Sequence, residues 1–268
     1  MKLLLISTLV LVTGASLGLM RASESTPGTD GRNPVLVELF TSEGCSSCPP
    51  ADALLQKLDQ QPIAGAEMIV LSEHVDYWNH DGWKDPYSAR FYSDRQGEYA
   101  RRLGLNDVYT PQMVVDGTSQ FLGSDATLAE KALTRELDKP KIAVRLSSVL
   151  VGTTNVLLAH LETGTLQESF RLREADVYVA VALNRAESQV SHGENAGRTL
   201  THVAVVTTIV RVGKFRKGQA FAQDVQLKLE PGTDIRNLRL VAFVQESGQG
   251  RVIGAAEQTA GIAVSKEN

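Results

Sequence analysis

The architecture of the N-terminal half follows from a segment that runs from Val35 to Pro50 and reads VLVELF-TSEG-CSSC-PP. Its first six residues are an almost continuous apolar run, which is typical of a strand buried in a parallel sheet. A turn over 41–44 leads to Cys45 and Cys48, the only two cysteines of the 268-residue chain. Beyond them apolar residues recur with the spacing of one helix face, at Ala51, Leu54, Leu55 and Leu58. This pattern predicts a strand, a turn carrying a Cys-x-x-Cys pair, and a helix that begins at the second cysteine.

Pro49 and Pro50 fit the first turn of that helix, where backbone N–H groups have no partner within the helix. The same unpaired N–H groups and the helix dipole favour a thiolate over a thiol. We therefore expect Cys45, which we place nearer the end and more exposed, to attack substrates, and Cys48 to resolve the mixed disulfide. Half a zinc site and a purely structural disulfide are the open alternatives, although no further cysteine is present and a short loop constrains the unfolded chain little.

The N-terminal half continues with a pattern of alternating helices and strands. A strand at 68–71 is followed by an insert over 73–100, whose residues 73–87 are polar and aromatic. A helical stretch runs from about 88 to 103. Thr110 and Pro111 then precede a strand at 112–115, and Asp116-Gly117 is a strong hairpin signal. The last predicted helix is capped by Ser124 and ends before Pro140. The predicted order is β-α-β-insert-α-β-β-α.

The pattern changes after Pro140, where apolar and polar residues alternate in short segments separated by Gly, Asn and Ser. About seven short strands without a clear helix predict a β-sandwich or a related all-β module. We therefore divide the chain into an α/β domain at 35–140 and a sandwich-like β domain at 141–268.

The N-terminus has the pattern of an export signal. Lys2 precedes an apolar run of about ten residues followed by small residues, which predicts a signal peptide over 1–22 and a flexible lead-in over 23–34. We expect a periplasmic or secreted protein with no membrane insertion after signal cleavage. The chain has a net charge of −4 and lacks the excess of basic residues that is typical of nucleic-acid-binding proteins, so no nucleic acid is expected as a partner.

Several polar residues outside the cysteine pair admit two interpretations each. Glu43 is either a proton carrier for a thiol or a solvated turn acid. The polar residues His74, Asp76, His80, Asp81 and Asp85, with Trp78 and Trp83, form either a substrate wall or metal site, or an ordered cover loop. Residues 192–198, with His202, either reach the active centre or form a Gly-rich turn in which Glu194 pairs with Arg198.

Three segments together resemble a family of secreted bacterial thioredoxin-like proteins of unknown function. They are Phe40–Asp52 (FTSEGCSSCPPAD), His74–Trp78 followed by Gly82–Pro86, and Gly193–Leu200. The resemblance covers roughly residues 35–260. It implies an α/β thioredoxin-like N-terminal domain plus an all-β, sandwich-like C-terminal domain. From the thioredoxin superfamily it implies that Cys45 is the nucleophile, Cys48 the resolving cysteine, and Pro111 a cis-proline facing them.

The residues and the resemblance together predict an exported thiol–disulfide oxidoreductase that acts on protein disulfides or thiols. The expected catalytic residues are Cys45, Cys48, Pro111 and Glu43, and the expected substrate-binding residues are Thr110, His74, Asp76 and Trp78. The expected partner is a protein thiol, a disulfide substrate or a redox protein. No metal or bound cofactor is expected, because no nicotinamide or flavin fingerprint follows a strand. The alternative is a non-enzymatic binding module for a protein partner or Cu(I).

Overall fold

Strands dominate the computed structural model, which describes residues 32–61, 63–152, 155–165, 170, 172 and 174–262. Within these residues there are twelve strands, three α-helices and one short 3-10 turn. In chain order they are β1 (Asn33–Thr41), α1 (Pro49–Gln60), β2 (Ala66–His74), α2 (Arg90–Leu103), β3 (Gln112–Val115), β4 (Ser119–Leu122), α3 (Ala126–Leu137), β5 (Val144–Val151), β6 (Val156–Thr163), β7 (Glu174–Gln189), β8 (Thr199–Arg216), β9 (Ala222–Lys228), the 3-10 turn (Ile235–Asn237), β10 (Leu238–Glu246), β11 (Val252–Thr259) and β12 (Gly261–Ile262).

Two sheets organise these strands. The larger sheet has eight strands in the order β11-β10-β7-β8-β2-β1-β3-β4, and the smaller has four in the order β12-β5-β6-β9. In the larger sheet β1 and β2 are parallel, with Thr41 opposite His74. Strand β8 lies parallel to β2, with Ser72 opposite Val205. The pairing of β2 with β8 therefore joins strands from both halves of the chain into one mixed sheet.

This continuous sheet overturns the predicted fold class. A thioredoxin-like α/β domain followed by a separate all-β sandwich would leave β2 and β8 in different sheets, yet the two are hydrogen-bonded neighbours. The predicted order of elements between β1 and α3 is confirmed. The prediction was wrong because periodicity identifies each strand but not its neighbour across the sheet. The lengths of two later strands were also underestimated: short strands were predicted, but β7 has 16 residues and β8 has 18.

The helices cover the larger sheet on both faces. Leu36, Ile69 and Leu71 pack on the same side as Tyr92 of α2. The alternate side chains of β1 and β2 point to the opposite face, which carries α1 and α3. The buried residues of this layer include Val37 and Leu39 of β1, Val70 of β2, Leu55 of α1 and Leu133 of α3. The four-stranded sheet packs against β7 and β10 through Leu157, Leu161, Val179 and Leu240. Because side chains alternate along a strand, the four-stranded sheet lies on the same face of the larger sheet as α1 and α3.

Local signals in the first half were mostly correct. Asp116 and Gly117 take positive φ angles of 47° and 68°, and the predicted hairpin between β3 and β4 forms, with Thr118 also in the loop. The predicted cap of α3 was wrong by one residue. Asp125 rather than Ser124 caps this helix, because its Oδ1 accepts a hydrogen bond from the N–H of Leu128 at 2.9 Å.

The predicted signal peptide over 1–22 lies outside the described residues, and so does most of the lead-in over 23–34. The predicted division between residues 140 and 141 falls between α3 and β5. None of the helices in the described part of the chain has both the length and the apolar character needed to cross a bilayer.

Candidate functional site

The cysteine pair forms a disulfide at the beginning of α1. Cys45 and Cys48 are bonded, with their Cα atoms 5.4 Å apart, and Cys48 is the N-terminal cap residue of the helix. The carbonyl oxygen of Cys48 accepts the first helical hydrogen bonds, from Ala51 and Asp52. The predicted position at the helix N-terminus is therefore confirmed. The predicted exposure of Cys45 was wrong: both cysteines are 0% exposed, while Ser46 and Ser47 between them face solvent.

The loop that joins β7 to β8 packs on the turn that carries this disulfide. We call residues 190–198 the covering loop. The buried carboxamide of Asn195 donates to the carbonyl oxygens of Glu43 and Cys45, at 2.8 and 3.0 Å. The carboxylate of Glu194 accepts the backbone N–H of Ser46 at 3.0 Å, which lowers the pKa of that carboxyl group. Arg198 donates to Asn195 rather than pairing with Glu194. The interpretation that this segment reaches the cysteines is thus the correct one.

Two tryptophans enclose the turn before Cys45 from the insert. The indole N–H of Trp83 donates to Oε2 of Glu43 at 2.7 Å, and that of Trp78 donates to the hydroxyl of Thr110 at 2.7 Å. A Cβ atom on Gly44 would lie only 3.1 Å from Cβ of Trp78, so this close approach favours glycine. The turn that leads to the disulfide is therefore contacted both by these tryptophans and by the covering loop.

A set of buried polar side chains lies beside the first turn of α1. Thr41, Ser72 and His74 project from the carboxyl ends of β1 and β2 on the face that carries α1, because they alternate with side chains of the opposite face. Glu43, Asp52 and His202 join them from the turn, from α1 and from β8. We call these six residues the polar chamber. Each has at least one buried side-chain atom without a hydrogen-bond partner among the described residues. Buried polar atoms are otherwise almost always paired, so this concentration is unusual.

His202 is the charged centre of the polar chamber. Its side chain is 1% exposed, with Nε2 at 3.4 Å from Oε1 of Glu43 and Nδ1 at 3.7 Å from Oδ2 of Asp52. Burial alone would lower the pKa of His202, but the two carboxylates outweigh burial and raise the pKa to about 10. The imidazole is therefore protonated at neutral pH.

A second histidine lies next to it. The ring centroids of His74 and His202 are 4.7 Å apart, and Nδ1 of His74 lies 2.7 Å from Oδ2 of Asp85. Burial would raise the pKa of Asp85, but His74 and the backbone N–H groups of Glu43 and Tyr87 more than compensate and lower it. Asp85 therefore fixes both the imidazole of His74 and the backbone of the turn before the cysteines.

The structure brings most of the predicted site residues together. Glu43 and His74 lie in the polar chamber, and Thr110 is tied to Trp78. The Thr110–Pro111 peptide bond is cis. Pro111 lies beside the start of α1, since a Cβ atom on Gly123 would meet both Pro111 and Ala51, at 3.2 and 3.1 Å.

Asp76 does not join this group. Its carboxylate accepts the hydroxyl of Ser93 at 2.6 Å, which ties the insert to α2 instead. Within the described residues, no cluster of three or more His, Cys, Asp and Glu side chains is arranged to hold a metal ion.

Sequence reasoning missed Asp52 and Asn195 as members of the site. Asp52 was interpreted only as an acid that suits a helix N-terminus. A second indication was available, because Asp52 lies four residues after Cys48, and residues at this spacing are neighbours on one side of a helix. Asn195 lies inside the Gly-rich segment, and no local pattern there predicts a contact with the cysteine turn.

Solved structures with the same overall arrangement are known. The chain is 26% identical to protein AGR_C_4864 from Agrobacterium tumefaciens, over 90% of this chain and 100% of that one, with a TM-score of 0.67. HBP35 of Porphyromonas gingivalis is 18% identical over 90% of this chain and 80% of its own, also with a TM-score of 0.67, a similarity that shows the fold alone. No curated protein matches the chain. The family model described as a protein of unknown function (DUF1223) matches residues 36–245, and the chain belongs to that family.

Proposed function

We propose that this protein is an exported thiol–disulfide oxidoreductase that exchanges the Cys45–Cys48 disulfide with protein thiols or disulfides. The observation that carries the proposal is the position of this disulfide at the N-terminus of α1, beside the charged polar chamber. A helix N-terminus stabilises a thiolate, and a stabilised thiolate is what makes a cysteine pair exchange readily near neutral pH.

The proposed reaction moves two electrons and needs no bound cofactor. A substrate thiolate attacks Sγ of Cys45, a new S–S bond forms, the Cys45–Cys48 bond breaks, and its electron pair leaves on Sγ of Cys48. A second substrate thiolate then attacks the substrate sulfur of the mixed disulfide and releases Cys45. The substrate dithiol is oxidised and the Cys45–Cys48 pair is reduced. The reverse sequence reduces a substrate disulfide.

We propose that the covering loop moves to give access to the sulfurs. Cys45 and Cys48 are both 0% exposed, and direct ties to the cysteine turn come from Asn195 and Glu194. Two of these three hydrogen bonds are buried and one is exposed, and together they are a small barrier, since each contributes about 1 kcal/mol. We therefore propose that a substrate displaces the covering loop from Ser46 before exchange.

Export is part of the same proposal. The signal-like pattern over 1–22 supports it, and so does the disulfide, because disulfides persist in oxidising compartments outside the cytosol. The proposed partner is accordingly a protein that carries thiols or disulfides in that compartment.

Reduction of insulin in the presence of dithiothreitol tests the activity. The wild-type protein should accelerate the precipitation of the insulin B chain, and both Cys45→Ser and Cys48→Ser should abolish the acceleration. Ser46→Ala is the matched control, because it changes an exposed side chain between the cysteines and leaves the backbone N–H in place. Equal rates for the wild type and Cys45→Ser would contradict the proposal.

A further inference from the structure

The titratable groups around His202 come from four different elements. Glu43 approaches from the turn after β1, Asp52 from α1, and the ring of His74 from β2. The ring of Tyr87, in the insert, lies 6.4 Å away, and Asp85 reaches this group through His74. In the chain, Glu43 stands two residues before Cys45 and Asp52 four residues after Cys48. His202 thus bridges two acids that flank the disulfide on both sides.

The carboxylates alone would oppose reduction of this disulfide. Opening it creates negative charge on sulfur, and two neighbouring acids raise the pKa of a thiol. In a poorly solvated site a charge a few ångströms away changes such an equilibrium by one pKa unit or more, at an effective dielectric constant of about 20. A cation held between the acids offsets their effect and leaves the helix N-terminus free to favour a thiolate.

We propose that His202 is a positioning residue of the Cys45–Cys48 pair, whose buried imidazolium neutralises Glu43 and Asp52 and thereby keeps the reduced pair reactive as a thiolate. This inference rests on the proposed function. It means that a residue of β8 sets the ionisation of the two cysteines that precede α1. His202 acts through the two carboxylates and does not itself contact substrate. By linkage, the thiolate and the imidazolium stabilise each other to the same extent.

His202→Gln tests the proposal in the reduced protein. The ultraviolet absorbance of the thiolate, followed against pH, gives the midpoint of thiol ionisation without requiring access to the sulfur. We expect the midpoint to rise by about one pH unit, which corresponds to about tenfold less thiolate at neutral pH. His160→Gln is the matched control, since His160 is an exposed histidine of the smaller sheet that also pairs with acids, Asp224 and Glu162. Its midpoint should equal that of the wild type.

A measurement on the wild type covers the case in which His202→Gln does not fold. In histidine-labelled protein, nitrogen NMR should show His202 protonated at both ring nitrogens at neutral pH, and reduction should shift its resonances while those of His160 stay unchanged. An unchanged ionisation midpoint in His202→Gln, or His202 resonances insensitive to reduction, would overturn the inference. Neither readout involves a protein substrate, so a failure of insulin reduction alone would count only against the proposed function.

Discussion

Nε2 of His202 lies 3.4 Å from Oε1 of Glu43, although Glu43 belongs to the turn after β1 and His202 to the long strand β8. This contact is possible because β8 is inserted beside β2 in the eight-stranded sheet. The second half of the chain therefore supplies both the cation in the polar chamber and, through the hairpin from β7 to β8, the covering loop. A minimal unit of β1 to α3 would lack both features.

Removing the carboxamide of Asn195 should open the disulfide to reductants. Asn195→Ala loses the hydrogen bonds to the carbonyl oxygens of Glu43 and Cys45, and with them about 2 kcal/mol that holds the covering loop closed. We expect the disulfide to be reduced by dithiothreitol about tenfold faster or more, which the fluorescence of Trp78 and Trp83 can follow.

Asn237→Ala is the matched control for that experiment. The carboxamide of Asn237 also makes two hydrogen bonds to backbone: it accepts from the N–H of Arg185 at 3.0 Å and donates to the carbonyl oxygen of Arg185 at 2.8 Å. Arg185 lies on β7, away from the covering loop. Loss of the Asn237 carboxamide should therefore leave the rate of disulfide reduction unchanged. If both variants are reduced at the wild-type rate, the covering loop does not control access.

The imidazolium of His202 should make stability fall at alkaline pH. Its pKa is raised to about 10 in the folded state, above the value of about 6.5 of an unfolded histidine. The stabilisation is fully present below about pH 6.5 and is lost as the pH rises toward 10, at up to about 1.4 kcal/mol per pH unit. Urea unfolding of the oxidised protein at several pH values measures this loss.

His202→Gln should lack this particular dependence, so the difference in stability between the wild type and the variant should shrink as the pH rises. It should be largest near neutral pH, where the variant leaves the carboxylates of Glu43 and Asp52 without their cation. A difference that stays constant from neutral pH to about pH 10 would contradict the assigned charge of His202.

Glu73, a buried acid on the other face of β2, should also make stability fall as the pH rises, but from a lower starting pH than His202 does. Burial, followed by the nearby charge of Glu38, raises its pKa well above the ordinary value, although Arg95 lies 3.6 Å away. The folded state therefore holds a proton that the unfolded chain releases above about pH 4.3. Stability falls as the pH rises from there toward the folded pKa.

We expect Glu73→Gln to remove this loss, so that the variant gains stability relative to the wild type between about pH 5 and pH 8. Glu187→Gln is the control, since Glu187 is an exposed acid on β7. Chemical denaturation at both pH values measures the change. A variant that gains nothing on going from the lower to the higher pH would show that Glu73 is ionised in the folded protein.

The sequence was sufficient where a structural choice is local. The apolar run before Cys45 forms β1, the 3.6-residue spacing after Cys48 forms α1, and Asp116-Gly117 forms the hairpin. It was insufficient where the choice depends on distant partners. Nothing around Val205 indicates that β8 pairs with β2, and the hydrogen bond from Asn195 to the carbonyl oxygen of Cys45 comes from the loop that precedes β8.

Exchange of Cys45 and Cys48 with protein thiols and disulfides is best tested by trapping the mixed disulfide. In Cys48→Ser the resolving thiol is absent, so attack by Cys45 on a substrate disulfide should stop at the mixed disulfide. Incubation with a disulfide-bonded protein such as insulin should yield a covalent adduct that dithiothreitol releases, and Cys45→Ser should yield none. No adduct with Cys48→Ser, in the presence of the additional Asn195→Ala substitution that opens the covering loop, would contradict the account.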